Sequence, residues 1–155
     1  AYNGALQQIN LAHAAPPPPA PAGTPSYVGG AQCAQCHWEE DAFWKTTRHS
    51  HAIETLQTRN KAFDQSCIGC HVTGFGQPGG SSLGHTDKLE DVQCEQCHGP
   101  GSMHVANPTL VNVPTGTHRQ VPVDTCMNCH KPEHSPRFDY NTYRSRIIGP
   151  GHGGK

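Results

Sequence analysis

The stretch CAQCH, Cys33 to His37, decides the fold of this chain. Its two cysteines stand three positions apart and a histidine follows directly, a pattern that zinc sites, redox disulfides and covalent haem attachment each use in part. The pattern recurs at positions 67–71, 94–98 and 126–130, and the four copies use all 8 cysteines. The chemistry must therefore explain a histidine after every second cysteine.

Attachment of haem c explains it, because two thiols one helical turn apart add to the two vinyl groups and the next imidazole binds the iron. Zinc takes four ligands and has no use for these histidines, and a thioredoxin-like motif occurs once, in a βαβ unit. The sequence thus predicts four covalently bound haem c groups. The attaching residues are Cys33, Cys36, Cys67, Cys70, Cys94, Cys97, Cys126 and Cys129, and the proximal ligands are His37, His71, His98 and His130.

The composition predicts that the cofactors supply much of the core. A chain of 155 residues is one domain by length, and its Leu, Ile, Val and Phe residues make up about 15 %, below the share expected of a folded domain. The formal charge of −1 argues against disorder. We expect a mostly α fold with extensive loops and little or no β-sheet, organised around four stacked haems, and an apoprotein that does not fold.

Two regions are predicted along the chain. Residues 1–26 form a proline-rich arm in which Pro16–Pro19 favours an extended conformation, and residues 27–155 form the tetrahaem domain. A long helix is expected from Cys33 to Thr58, since no Gly or Pro interrupts it. The other motifs are followed closely by helix-breaking residues, at Gly74 and Gly76, at Gly99–Gly101 and at Pro132.

Segments around the motifs carry a family resemblance. The stretches CAQCHWEEDAFWKTTRHSHAIETL, CIGCHVTGFGQPGG and VQCEQCHGPGSMH resemble the tetrahaem cytochrome c-554 family, the electron acceptors of hydroxylamine oxidation in ammonia-oxidising bacteria. The likeness covers about residues 28–130. The arm and the short Gly-rich tail depart from that pattern and are similar to extracellular tetrahaem cytochromes that polymerise into conducting filaments.

The resemblance also implies distal ligands. Histidine is the expected type, because the chain has only two methionines. The resemblance assigns His49 to the fourth haem and His104 to the first, and it takes the ligand of the third from beyond the fourth motif, where His134 and His152 lie. His134 is preferred because it stands between two prolines. His51, His85 and His118 are expected to be ordinary polar residues or hydrogen-bond partners of haem propionates rather than ligands.

The second haem is left open by the resemblance, which implies a five-coordinate iron that could take nitric oxide. The hypothesis for this chain is that His13, on the arm, ligates a haem of the adjacent subunit, most simply the second. Such a head-to-tail contact repeats into a filament. The alternatives are an in-chain ligand, namely His51, His85 or His152, or an open site.

These residues favour electron transfer over catalysis, since two imidazoles saturate an iron and leave no site for substrate. We expect a non-enzymatic, exported protein that polymerises into an extracellular conducting filament. The alternative is a soluble periplasmic shuttle of the c-554 type, with or without an open second haem reducing nitric oxide. The partners would be further copies, redox proteins or extracellular acceptors. No basic run suggests nucleic acid, no apolar stretch is long enough to span a membrane, and any secretory signal is expected to have been removed.

Overall fold

The computed structural model describes residues 2–110 and 116–152, and over these residues the fold is short helices joined by loops. The nine α-helices in the described ranges are α1 (Tyr2–Ala12), α2 (Gly30–Cys33), α3 (Trp38–Trp44), α4 (Ala52–Gln57), α5 (Gln65–Ile68), α6 (Cys94–His98), α7 (Ser102–Ala106), α8 (Val123–Met127) and α9 (Tyr140–Arg144). Two 3₁₀ turns lie at Arg48–His51 and Asp87–Leu89. Outside the helices, residues 2–110 and 116–152 hold isolated β-bridges and no strand. The predicted fold class is confirmed.

The long helix expected from Cys33 to Thr58 is wrong. The chain leaves helical geometry at His37 and again at Thr47, whose backbone is extended (φ −91°, ψ 163°). The hydroxyl of Thr47 donates to the carbonyl of Trp44 at 2.8 Å, and that of Ser50 donates to the carbonyl of Thr47 at 2.9 Å. Such side chains offer the backbone hydrogen bonds that compete with a continuous helix. The break starts a new segment at Arg48, which carries His49.

A small apolar core surrounds the second motif. Ile53 and Leu56 of α4 pack with Ile68 of α5 and with Val72 and Leu83, all of which are buried. None of the described residues in 116–152 is buried. The apolar core of the protein therefore lies around the second motif, and the fourth motif lies outside this core.

The arm lies on its own chain. The sequence does not predict helix α1, whose Asn10 side-chain amide donates to the carbonyl of Phe63 at 3.1 Å. Residues 14–21, which follow, have no regular secondary structure. The carbonyl of Pro18 accepts from Gly79 N at 2.7 Å, and Ala14 packs on the apolar core. These contacts within one chain offset part of the entropy cost of ordering the arm. The predicted contact with a second subunit stays a prediction.

Candidate haem centres

Each motif folds as a single helical turn. The amide of His37 donates to the carbonyl of Cys33 at 2.9 Å, and that of His130 donates to the carbonyl of Cys126 at 2.9 Å. Helix α6 spans the third motif from Cys94 to His98. One turn brings both thiols of a motif to the same side, where the two vinyl-derived carbons of one haem need them.

Backbone carbonyls fix the orientation of several imidazoles. His71 Nδ1 lies 2.5 Å from the carbonyl oxygen of Ala52, and His98 Nδ1 lies 2.6 Å from that of His118. A carbonyl can only accept, so each Nδ1 carries the proton and donates it. The Nε2 lone pair is then free to bind a metal, which is the arrangement that ligating histidines in proteins usually show.

Two pairs of histidines stand at the separation that an iron requires. The ring centroids of His37 and His104 are 6.3 Å apart, and those of His49 and His130 are 6.2 Å apart. A metal bound by two imidazole nitrogens at about 2 Å each holds the two ring centroids about 6 Å apart. The structure thus brings together the proximal and distal residues assigned to the first and fourth haems, and ligation by His49 and His104 is a proposal with a geometric basis.

The tail after α9 brings another histidine, His152, close to His98 of the third motif. His134 is exposed on a turn, whereas the buried Nδ1 of His152 has no hydrogen-bond partner. Burial lowers the pKa of His152, and the nearby His98 lowers it further. His152 is therefore a second candidate ligand of the third haem with a structural basis, and the preferred assignment of His134 stays a prediction.

Two glycines explain how the tail reaches this place. A Cβ on Gly149 would clash with the ring of Phe43, and one on Gly151 would clash with the carboxyl group of Glu40. Only residues without side chains let the tail lie this close to α3, and Gly151 also has a φ of +89°, which favours glycine. The Gly-rich tail is thus the means by which His152 is positioned.

The remaining candidate histidines lie apart from the imidazole pairs. His13 is exposed just after α1, and His51 is exposed beside Glu54, with 3.6 Å between His51 Nδ1 and a Glu54 oxygen. His85 is half-buried in a turn with Ser82. The distal ligand of the second haem, including the hypothesis that His13 supplies it from another subunit, stays a prediction.

Contacts between cysteines show which motifs are neighbours. Cys33 lies beside Cys94, and Cys70 lies beside Cys129. Cys97 lies beside Cys126. The first motif therefore adjoins the third, the third adjoins the fourth, and the fourth adjoins the second.

The described part of the chain lacks the ligand cluster that a structural zinc site would show. Within residues 2–110 and 116–152, no group of three or more His, Cys, Asp or Glu side chains converges as a metal site. A structural zinc needs four such ligands around one point. The cysteines instead sit beside imidazoles that are paired or oriented as iron ligands.

Sequence reasoning missed the residue that joins the first and third motifs. Glu95 lies between the cysteines of the third motif, and its side chain is buried, with 3 % exposure of the residue. Its carboxylate accepts hydrogen bonds from backbone amides near the first motif and from Gly101. The signal was a charged residue inside an attachment motif, but such a position usually faces solvent.

The fold and the four motifs define a multihaem c-type cytochrome. Residues 32–99 match the family model "Cytochrome c554 and c-prime". The chain is 37 % identical over 91 residues to cytochrome c-554 of Nitrosomonas europaea, a match that covers 48 % of this chain and 39 % of that protein. It therefore spans well under half the length of this curated relative.

The fold comparison covers more of the chain. The solved structure of the reduced state of cytochrome c554 from Nitrosomonas europaea aligns with a TM-score of 0.60 at 24 % identity, covering 79 % of this chain and 83 % of that one. The likeness establishes the fold. Together with the motifs, it confirms the prediction of four covalently bound haem c groups.

Proposed function

We propose that this protein is an electron carrier of the cytochrome c-554 type, which passes single electrons along four haems in the order first, third, fourth, second. The haems supply the redox chemistry. The chain holds them at fixed separations and keeps their ligands from rearranging when the iron changes charge.

The observation that carries the proposal is the pairing of imidazoles across the first and fourth haem positions, at 6.3 and 6.2 Å between ring centroids. An iron held by two imidazoles has no free position for a substrate. Rigid ligands also keep reorganisation small during electron transfer. His130 illustrates this rigidity, because its ring stacks on Phe138 with centroids 4.6 Å apart and its Nδ1 lies 3.1 Å from Ser135 Oγ.

The proposed location is outside the cytoplasm, in the periplasm, since haem attachment to this motif takes place after export. In the described part of the chain, no helix has both the length and the apolar character to cross a membrane. Its partners would be other redox proteins that exchange electrons at the first and second haems, the two ends of the order.

Counting spin states in the purified holoprotein tests the proposal. Mass spectrometry should find four haems per chain, and electron paramagnetic resonance should find the first, third and fourth haems low-spin and reversibly reducible. His152→Ala should convert one haem to high-spin, while the matched change His134→Ala should leave the spectrum unchanged. A holoprotein in which most haems are high-spin and bind exogenous ligands would contradict a carrier function.

A polymeric conductor is the second candidate function. The features in its favour lie on the arm, where His13 is exposed and Ile9 and Leu11 are 56 % and 42 % exposed. A second copy could bury these side chains and receive the imidazole. Electron micrographs of the purified protein decide between the two, since filaments that His13→Ala abolishes support the polymer and monodisperse particles support the shuttle.

Reduction of nitric oxide at an open second haem would require a five-coordinate iron beside His71. A high-spin ferric signal that nitric oxide removes would favour it. A wholly low-spin protein would exclude an open site.

A further inference from the structure

The third motif contains a carboxylate that ties together both sides of the first haem position. Glu95 Oε1 accepts from Val28 N at 2.9 Å and from Gly101 N at 2.7 Å, and its Oε2 accepts from Gly29 N at 2.7 Å. A second bond from Val28 N reaches Oε2 at 3.2 Å. Both oxygens act only as acceptors.

The donors belong to the two segments that carry the iron ligands of the first haem. Gly29 directly precedes α2, which leads through Cys33 to His37, and Gly101 directly precedes α7, which carries His104. Helix α6 holds Glu95 itself together with Cys94 and His98. One side chain thus fixes the proximal and distal ligand segments of the first haem relative to the motif of the third.

The charge of this carboxylate is kept out of water. Glu95 is 3 % exposed, and the hydrogen bonds it accepts come from peptide N–H groups, which stabilise an anion without cancelling its charge. Burial raises the pKa of the Tyr27 hydroxyl, and the charge of Glu95 raises it further. Glu95 directly follows Cys94 of the third motif, and Cys94 lies beside Cys33 of the first. The charge of Glu95 therefore lies close to attachment residues of both the first and the third haem.

We propose that Glu95 is a positioning residue that sets the reduction potentials of the first and third haems as well as their relative placement. Reduction removes one positive charge from an iron, so a nearby buried anion favours the ferric state. This holds the potentials of the first and third haems below the values they would have without the carboxylate. The inference rests on the proposed electron-transfer function and goes beyond it, because it names a residue that makes the reduction potentials differ along the path.

Removing the charge while keeping the size of the side chain is the first test. In the E95Q holoprotein, a redox titration followed by electron paramagnetic resonance should show higher midpoint potentials for the first and third haems and unchanged potentials for the second and fourth. A unit charge on the order of 10 Å from an iron predicts about a tenfold change in the ferrous-to-ferric ratio at a fixed ambient potential. Unchanged potentials in a folded E95Q protein would overturn the proposal.

Two further variants separate charge from position. E95D keeps the charge but shortens the side chain, so the potentials should stay close to those of the parent while the amide protons of Val28, Gly29 and Gly101 exchange faster. If E95D raised the potentials as much as E95Q, the charge would not be the cause.

Q96E adds a negative charge where E95Q removes one, and it provides the test if E95Q does not fold. Gln96 is the next residue in the motif, is half-buried, and accepts from Gly74 N at 2.9 Å through an oxygen that glutamate would retain. The added carboxylate should lower the potential of the third haem. An unchanged potential in a folded Q96E protein would mean that a carboxylate on this helix does not act on the third haem, and would overturn the proposal. A parent protein that does not cycle reversibly would instead refute the electron-carrier function.

Discussion

The second and fourth motifs stand in contrasting surroundings. Around the second motif, residues 47–95 contain the apolar core of Ile53, Leu56, Ile68, Val72 and Leu83, all at most 7 % exposed. Around the fourth, residues 116–152 contain no buried residue in the part the structure describes, and the ring of His130 packs instead on Phe138 and Tyr143. Residues 47–95 are thus held together by apolar contacts between side chains, whereas residues 116–152 are arranged around the haem-binding histidine His130.

The contrast teaches that one attachment motif can be supported in two ways. A protein core fixes an imidazole through backbone carbonyls, as Ala52 does for His71. Where the core is missing, side chains do so, as Ser135 does for His130. Structure in the fourth-motif region should therefore depend more strongly on the haem.

Deleting an attachment site is the strongest way to break this comparison. Cys126→Ala with Cys129→Ala should leave residues 116–152 unfolded, because no apolar core replaces the lost haem. Limited proteolysis with mass spectrometry should find the new cleavage sites confined to that region. Cys67→Ala with Cys70→Ala should disturb residues 47–95 less, since their apolar contacts remain. Equal damage in both double variants would show that the haems support both regions alike.

Truncating the core should come next in size. Leu56→Ala should lower the free energy of unfolding by about 2–5 kcal/mol, the usual cost of such a change in a packed core. Leu110, which is 47 % exposed, is the matched control, and Leu110→Ala should change the free energy of unfolding by about 0.5 kcal/mol or less. Denaturant unfolding of the holoproteins measures both. Equal costs would argue that residues 47–95 contain no effective core.

His49 connects the two regions, since it precedes α4 and its ring faces that of His130. His49→Ala should convert one of the haems, the fourth, from low-spin to high-spin while the core around the second motif stays folded. His51→Ala removes an exposed imidazole from the same 3₁₀ turn and is the control. A low-spin fourth haem in His49→Ala would remove His49 from the ligands.

Helix caps give the smallest effect. The side chain of Asp64 caps α5, and the hydroxyl and amide of Ser66, which donate to it, lower the pKa of its carboxyl. Asp64→Ala should cost about 1 kcal/mol of unfolding free energy at neutral pH. Because Asp64 is partly exposed to solvent, screening limits the part of this stabilisation that comes from its charge to ~0.3 kcal/mol.

The sign of the pH dependence follows from that lowered pKa. Stabilisation by the Asp64 charge is complete above the unfolded-state pKa of about 4 and is lost as the pH falls through the folded-state pKa. Asp64→Asn keeps the cap oxygen and should remove only this acid-dependent part. Melting curves between neutral and acid pH measure it. An identical acid dependence in parent and Asp64→Asn would exclude this carboxyl.

The sequence was most informative where chemistry dictates spacing. The motif CxxCH requires its cysteines and histidine within one turn, so four cofactor sites and a helical, sheet-poor fold could be read from it. The pairing of His49 with His130 was implied by the family resemblance, and the two rings do face each other. Helix boundaries were less accurate, because Thr47 and Ser50 divert hydrogen bonds that no count of Gly and Pro reveals.

By itself, the sequence determined the cofactor, the number of sites and the residues that attach them, because covalent chemistry is local. Only the tertiary structure decided that the arm lies on its own chain, that His152 lies near His98, and that Glu95 joins the first and third motifs. These depend on contacts between residues far apart in the chain. In the sequence, Gly149 and Gly151 resemble residues of a flexible linker. In the structure, the tail packs against Phe43 and Glu40 because these two glycines have no side chains.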